Sequence, residues 1–299
     1  MNPTRREFLQ TASLGLVATA LPLPIFRMMQ PYEMIPLRND VGIFRERGGT
    51  IGWLAQKKGI AVIDAQFPEQ AAHFLAELRN LAQAPIDLLI NTHHHGDHTG
   101  GNVVFKDIAG KILAHENSKV NQISAARKNG NEADQVYPNA TFGDRWQQKV
   151  GNEIVDLQYW GPGHTNGDAI IHFQHANVVH CGDLVFNRRY PYIDKTAGAR
   201  IDNWIEILQQ MQAYFDRNTL FIFGHAREGF PVTGDKADLA AFADYLTALL
   251  EHVGTQLAAG RTKDEILATT AIPGAPEWTG DGIQRSLNAA IEEILEGKN

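Results

Sequence analysis

The chain has 299 residues, of which 43% are hydrophobic, and a formal net charge of -7 at pH 7. That length and apolar fraction suit one large α/β domain with a sizeable core, and the acidic balance, with no Lys/Arg run, argues against a surface that tracks nucleic-acid phosphates. The single cysteine, Cys181, rules out an intramolecular disulfide and an all-cysteine zinc site, so any metal is held mainly by histidines and carboxylates.

Residues 1–30 read as a segment apart. Thr4-Arg5-Arg6-Glu7-Phe8-Leu9-Gln10 carries a twin-arginine pair, and the weakly apolar stretch from Ala12 to Leu23 that follows is too short to span a bilayer. This is the pattern of an export signal, with Ala18-Thr19-Ala20 as a small-x-small cleavage site. It predicts a periplasmic protein exported by the twin-arginine route, with no stable membrane insertion. Export in the folded state suits a protein that loads its metal in the cytoplasm. The remaining domain is expected over 31–299, C-terminal helices included.

From Met34 short strands are predicted at 41–46, 50–56 and 60–64, separated by Gly48-Gly49 and Lys57-Lys58-Gly59 turns, as an antiparallel meander. Pro68 and Glu69 open a helix to about Gln83, with Ala71, Phe74, Leu75, Leu78 and Leu81 at helical spacing, and a strand follows at 86–91. Directly after it stands Thr92-His93-His94-His95-Gly96-Asp97-His98-Thr99-Gly100-Gly101-Asn102, with four histidines and a carboxylate in the six positions 93–98. Solvated loops rarely concentrate imidazole in this way, so metal binding is the first reading. Alternation at a strand end points His93 and His95 together and His94 away. Gly96, lacking a Cβ, lets the chain turn and bring Asp97 and His98 near them, as a two-metal cradle. The cluster lies at the carboxyl end of a strand-helix-strand unit, where α/β sheets favour ligand sites.

Past the cluster the pattern predicts a strand near 111–114, a helix over 116–128, a polar loop around 130–137, and strands at 145–150, 153–159, 169–173 and 178–181. A helix over 202–215, a strand at 220–223 and helices over 236–259, 263–269 and 281–295 complete the chain. Strands then helices, twice over, predict an α/β fold of four layers, an αββα sandwich. Three later turns each deliver one donor after a strand: Gly161-Pro162-Gly163-His164-Thr165, Gly182-Asp183 and Gly224-His225. In each, glycine permits a backbone approach that a bulkier residue would block.

In these motifs the chain resembles the metallo-β-lactamase fold superfamily. Thr-His-x-His-x-Asp-His stands at Thr92 to His98, and the later Gly-His-Thr, Gly-Asp and Gly-His elements stand at His164, Asp183 and His225, so the match runs over roughly 34–226. The resemblance implies that His93, His95 and His164 hold one metal, that Asp97, His98 and His225 hold the other, and that Asp183 bridges them.

Imidazole nitrogens with carboxylates suit two Zn2+, although Fe or Mn accept the same donors. Two metals about 3.5 to 4 Å apart share a hydroxide, lower its pKa to about 7 and hold the oxygen under attack. The expected function is a dinuclear zinc-dependent hydrolase that cleaves an ester-, thioester-, lactone- or β-lactam-type bond in a small-molecule substrate. Asp97 is then both ligand and catalytic residue, orienting the hydroxide. By resemblance, Asp183 favours the glyoxalase-II-like and lactonase-like branches over true β-lactamases, and the exported members associated with sulfur-oxidation or quinoprotein systems look nearest. The alternatives are an iron-dependent redox enzyme, similar to persulfide dioxygenases, on the same ligands, or a non-catalytic metal-binding module.

His94, His115 and His180 are read as structural or supporting residues, and Cys181 as a small buried hydrophobe. Asp168 is a candidate to orient His164 through its other ring nitrogen. Trp160, Phe186, Arg188, Arg189, Tyr190 and Tyr192 flank ligand-bearing turns, which makes 186–199 the candidate substrate loop. The C-terminal helices show no basic cluster plainly suited to the carboxylates of glutathione.

Overall fold

Branched and aromatic residues buried with a period of two build two facing sheets. The computed structural model describes residues 32–297, and the expected export signal over 1–30 lies outside the described residues. In the first sheet β1 (Glu33–Arg38), β2 (Val41–Arg45), β3 (Ile51–Gln56) and β4 (Gly59–Ile63) form an antiparallel meander. Helix α1 (Pro68–Leu81) then returns the chain so that β5 (Ile86–Ile90), β6 (Ala109–His115) and, after α2 (Glu116–Asn129), β7 (Ala140–Phe142) add in parallel. Pro68 stands in the first turn of α1, where its fixed φ and missing N–H carry no penalty.

The second sheet takes β8 (Arg145–Val150), β9 (Glu153–Gln158), β10 (Ile170–Phe173) and β11 (Val178–His180) as antiparallel neighbours. The short β12 (Phe186–Asn187) leaves this sheet, and α3 (Ile201–Tyr214) leads to β13 (Leu220–Ile222), which pairs in parallel with β11. β14 (His225–Ala226) pairs with β12 as a separate ladder, and β15 (Thr233–Gly234) closes the edge beside β13. Helices α4 (Lys236–Ala258), α5 (Lys263–Leu267) and α6 (Ile283–Glu296) follow. No helix among the described residues is long and apolar enough to cross a membrane.

Alternation along the strands assigns the layers. Leu88 and Ile90 of β5 share an inter-sheet core with Val178, Ile171 and Leu157, while Leu89 packs with Phe74 and Leu78 of α1 on the outer face. In the second sheet Val179 and Phe221 turn outward to Trp204 of α3 and Phe242 of α4. Burying one such side chain contributes about 1.5–3 kcal/mol. The result is the αββα sandwich that the element order predicts. Most expected elements stand within a few residues of their observed bounds. β1, β7, β12, β14 and β15 were not expected, being edge strands or too short to carry a period. Two short helical turns, Gly96–Thr99 and Asn102–Phe105, occupy the motif expected to be a bare turn.

The C-terminal helix seats the candidate substrate loop. Buried Glu293 accepts the backbone N–H groups of Ile201 and Asp202, each at 2.8 Å, and so satisfies the open start of α3. It also accepts Lys195 Nζ at 3.4 Å, and Ser286 Oγ donates to the Pro191 carbonyl at 3.0 Å. Replacing Glu293 with Ala strands those buried donors, so it is expected to lower stability by about 1–3 kcal/mol in urea denaturation. An unchanged midpoint would contradict this role.

Candidate metal centre

All seven donors singled out by the sequence gather at strand ends on one rim of the sandwich. His93 and His95 follow β5, His164 lies in the turn after β9, Asp183 lies in the turn after β11, and His225 opens β14. His93 Nε2 and His164 Nε2 each stand 3.0 Å from His95 Nδ1. Asp97 Oδ2 lies 3.1 Å from His225 Nε2, which faces His98 Nε2 at 3.4 Å. Asp183 stands between the two groups, with Oδ1 3.1 Å from His98 Nε2 and Oδ2 3.5 Å from both His164 Nε2 and His225 Nε2. The side chains that could hold an ion gather as His93, His95, His164 and Asp183 and as Asp97, His98 and His225, and a third set, His94, His95 and Asp194, shares His95 with the first.

These residues fit a pair of metal ions. Ring nitrogens converging three at a time are not explained by hydrogen bonds, because one proton serves one pair. Donors about 2.0–2.1 Å from a tetrahedral ion lie about 3.3 Å apart, close to the spacing seen here. Asp183 Oδ1 is buried without an aligned hydrogen bond, a costly state for a carboxylate that lacks a cation. The cradle also depends on two missing side chains. A Cβ at Gly224 would lie 1.9 Å from Asp183 Oδ1, and one at Gly49 would lie 2.1 Å from His98 Cε1.

The outward ring nitrogens are held as firmly as the inward ones. His98 Nδ1 donates to Asp64 Oδ2 at 2.7 Å, His95 Nε2 to Asp194 Oδ2 at 3.0 Å, and His164 Nδ1 to the Tyr192 carbonyl at 2.7 Å. His93 Nδ1 meets Thr92 Oγ1 at 3.0 Å, and that hydroxyl donates onward to Asp64 Oδ2 at 2.8 Å. Fixing the proton on the outer nitrogen leaves the inner lone pair pointing at the centre. Asp64 and Asp194 were not singled out as partners from sequence. Asp64 ends the apolar run of β4 next to β5, a signal that could have found it, whereas Asp194 sits in a loop without periodicity.

The expectation for Asp168 fails. Its carboxylate accepts the Thr165 N–H at 2.8 Å and the Thr165 hydroxyl at 2.6 Å, closing the turn after His164 instead of touching the ring. Burial there pushes Asp168 up to about 7. His94, expected to point away, is instead buried beside a donor, its ring centroid 4.4 Å from that of His95 and its Nε2 3.6 Å from Asp194 Oδ2. His115 caps α2 and stacks on Tyr159, and His180 meets the Thr50 carbonyl, so both are structural. Burial raises the Cys181 thiol far above its ordinary range, in keeping with an inert hydrophobe.

Electrostatics separate the donors. Burial, reinforced by neighbouring His98, holds His93 well below the usual imidazole range, and burial outweighs Asp183 to bring His164 to about 3. Both are therefore neutral, the form that ligates metal. At His98 burial is overcome by Asp183, Asp64 and Asp97, which raise it well above that range and mark a position that favours a cation. Burial would raise Asp183 and Asp97, but the surrounding histidines keep both low.

A cavity of about 360 Å3 opens over Asp97, Asp183 and His225, walled by Phe186, Arg189, Tyr190, Tyr192 and Arg285. The 186–199 segment thus does border the site. Trp160 and Arg188 do not line this cavity: the first packs on Phe215, and the second is taken by Glu277 and Asp238. Arg285 of α6 was missed, because a lone arginine in an amphipathic helix carries no signal until the helix is docked.

The model of the metallo-beta-lactamase superfamily matches residues 45–225. The chain is 21% identical to metallo-beta-lactamase IND-1 of Chryseobacterium indologenes, over 64% of this chain and 80% of that protein. It is 24% identical to a hydroxyacylglutathione hydrolase of Methylococcus capsulatus, over 63% of this chain and 74% of that protein. Among solved structures, a metallo-beta-lactamase from Pontibacter korlensis aligns with a TM-score of 0.58 at 20% identity, covering 72% of this chain and 99% of its own. A double mutant of the sec-alkyl sulfatase PisA1 aligns with a TM-score of 0.71 at 15% identity, covering 88% of this chain and half (50%) of its own. With the family model spanning more than half of its length and the donors gathered at the strand ends, the chain belongs to the metallo-beta-lactamase superfamily.

Proposed function

We propose that this protein is a dinuclear zinc hydrolase of small molecules, acting on an ester, thioester or lactone, with a β-lactam as the less favoured substrate because Asp183 occupies the shared position. The observation that carries this reading is the two facing donor groups, with Asp183 within 3.1 to 3.5 Å of His98, His164 and His225. Metallo-beta-lactamases and a hydroxyacylglutathione hydrolase among the relatives support hydrolysis. The twin-arginine segment supports periplasmic work.

His93 Nε2, His95 Nδ1 and His164 Nε2 would hold one ion, and Asp97, His98 Nε2 and His225 Nε2 the other, with Asp183 shared. Bound there, zinc supplies Lewis acidity and a nucleophile at neutral pH. Asp64, Asp194 and the Tyr192 carbonyl keep the imidazoles oriented. Asp97 is the donor most open to the cavity, its side chain 30% exposed against 17% for His95 and 12% for His225. Its carboxylate is therefore the group placed to orient the attacking water. Phe186, stacked on His225 at 5.4 Å, keeps bulk water from that side of the ring.

Elemental analysis of the purified protein is expected to find about two zinc per chain, with cleavage of at least one of nitrocefin, a lactone, a thioester or a phosphodiester. Iron, or no more than one metal with an inert panel, would overturn the reading and point to redox chemistry. Asp97→Asn is expected to lower kcat by about 10²- to 10⁴-fold; undiminished turnover would remove Asp97 from the mechanism. Asp64→Ala is expected to weaken zinc binding about 10- to 100-fold in competition with a chromophoric chelator, and wild-type affinity would show that Asp64 is dispensable.

A further inference from the structure

The two donor groups leave out one imidazole of the run from His93 to His98, that of His94. This side chain is 7% exposed, and its Nδ1 is buried without a hydrogen bond among the described residues. Its Nε2 faces Asp194 Oδ2 at 3.6 Å, beyond hydrogen-bond length. Burying an imidazole without a partner for either nitrogen is costly, so internal hydrogen bonding does not account for His94. His115 and His180, the other histidines beside the motifs, are accounted for: the first accepts the Asn117 N–H and the second holds the Thr50 carbonyl.

The Asp194 carboxylate opposite has capacity to spare. Its Oδ1 accepts Thr196 Oγ1 at 2.6 Å and the Ala197 N–H at 3.1 Å, while its Oδ2 accepts only the His95 N–H at 3.0 Å. A carboxylate oxygen carries two lone pairs, so Oδ2 keeps one for a further partner. One ligating atom from each of His94, His95 and Asp194 lies within 4.8 Å of the other two. The 3.6 Å between His94 Nε2 and Asp194 Oδ2 is close to the spacing of two donors about 2.0–2.2 Å from a tetrahedral ion.

The pair is also reachable. A second cavity, of about 350 Å3, is walled by Asn121, Ser124 and Lys128 of α2 and by the 192–197 loop, and His94, His95 and Asp194 line it. A Cβ at neighbouring Gly96 would meet nothing within 4 Å, so the space there is open. Lys128, the one cation among the lining residues named, is exposed, and its long stem carries the ammonium into solvent.

Resting on the dinuclear reading for which ions bind first, we propose a third, weaker site for a divalent transition ion, held by His94 Nε2 and Asp194 Oδ2, with solvent from this cavity completing its coordination. An imidazole with a carboxylate suits zinc or copper. His95 is not a ligand there, because its Nδ1 belongs to the first donor group and its Nε2 keeps the proton given to Asp194. An ion at this outer site shares Oδ2 with that proton, which ties its occupancy to the acceptor that orients His95.

The test is equilibrium dialysis of the purified protein against graded free zinc, with bound metal counted by elemental analysis, for wild type, His94→Ala, His94→Gln and His73→Ala. The last removes a different histidine-carboxylate pair, His73 with Glu46. We expect wild type to take up about one zinc per chain beyond its tightly held complement, and the affinity for that ion to fall about ten-fold or more in both His94 variants. In His73→Ala that affinity is expected to be unchanged, and the tight complement is expected to be equal in all four proteins. Wild-type crystals soaked in excess zinc are expected to show an added anomalous peak between His94 and Asp194, a readout that requires no variant to fold. No peak there, or a weakly held ion that survives in both His94 variants, overturns the proposal. Fewer than two tight ions together with a weak ion that depends on His94 sinks the dinuclear reading alone, whereas two tight ions without such a weak one sinks this inference alone.

Discussion

The centre depends on one buried carboxylate. Asp64 stands at the end of β4 with no exposure to solvent and a positive φ of 61°, a backbone state that a non-glycine residue adopts only when its surroundings enforce it. Its Oδ1 accepts the Thr92 N–H at 2.7 Å, and its Oδ2 accepts the Thr92 hydroxyl and His98 Nδ1. Through Thr92 it reaches His93 in the first donor group, and through His98 it reaches the second. One side chain therefore fixes the register of the strand end and the tautomers of two histidines. A buried carboxylate is tolerable here because every strong acceptor position is filled by a donor.

The sandwich supplies the rest of the convergence. β4, β5, β6 and β7 run in parallel, as do β11 and β13, so the carboxyl ends of the carrying strands open on one rim. Loops leaving that rim bring together donors separated by more than a hundred positions, such as His98 and His225, because the inter-sheet core holds the strand ends in register. α6 then closes the structure over the loop that carries Tyr192, Asp194 and Arg189. The C-terminal helices thus both stabilise the start of α3 through Glu293 and build the outer wall of the cavity.

What could be read from the chain was local or periodic. The donors were legible because five of the seven sit beside a glycine in turns that follow apolar runs, and the layers were legible because strands and helices alternate in two blocks. The partners of the donors were not. Asp194 lies 99 positions from His95, and only the folded path of the chain brings them together, whereas Asp168, near His164 in sequence, is taken by Thr165 three positions away in a local turn. Arg285 gave no sign of a role, since the contact that aims it, Ser286 with Pro191, joins residues 95 positions apart. The short strands β12 and β14 exist because Phe186 pairs with His225 across the site, a long-range contact that no window of sequence contains.

The central claim is that the two donor groups hold two metal ions around Asp183. Crystals of the purified protein measured on both sides of the zinc absorption edge test it most directly. The account predicts two zinc peaks in the anomalous difference map, one among His93, His95 and His164 and the other among Asp97, His98 and His225, with Asp183 contacting both. A single peak, or density that leaves either triad unliganded, would contradict it.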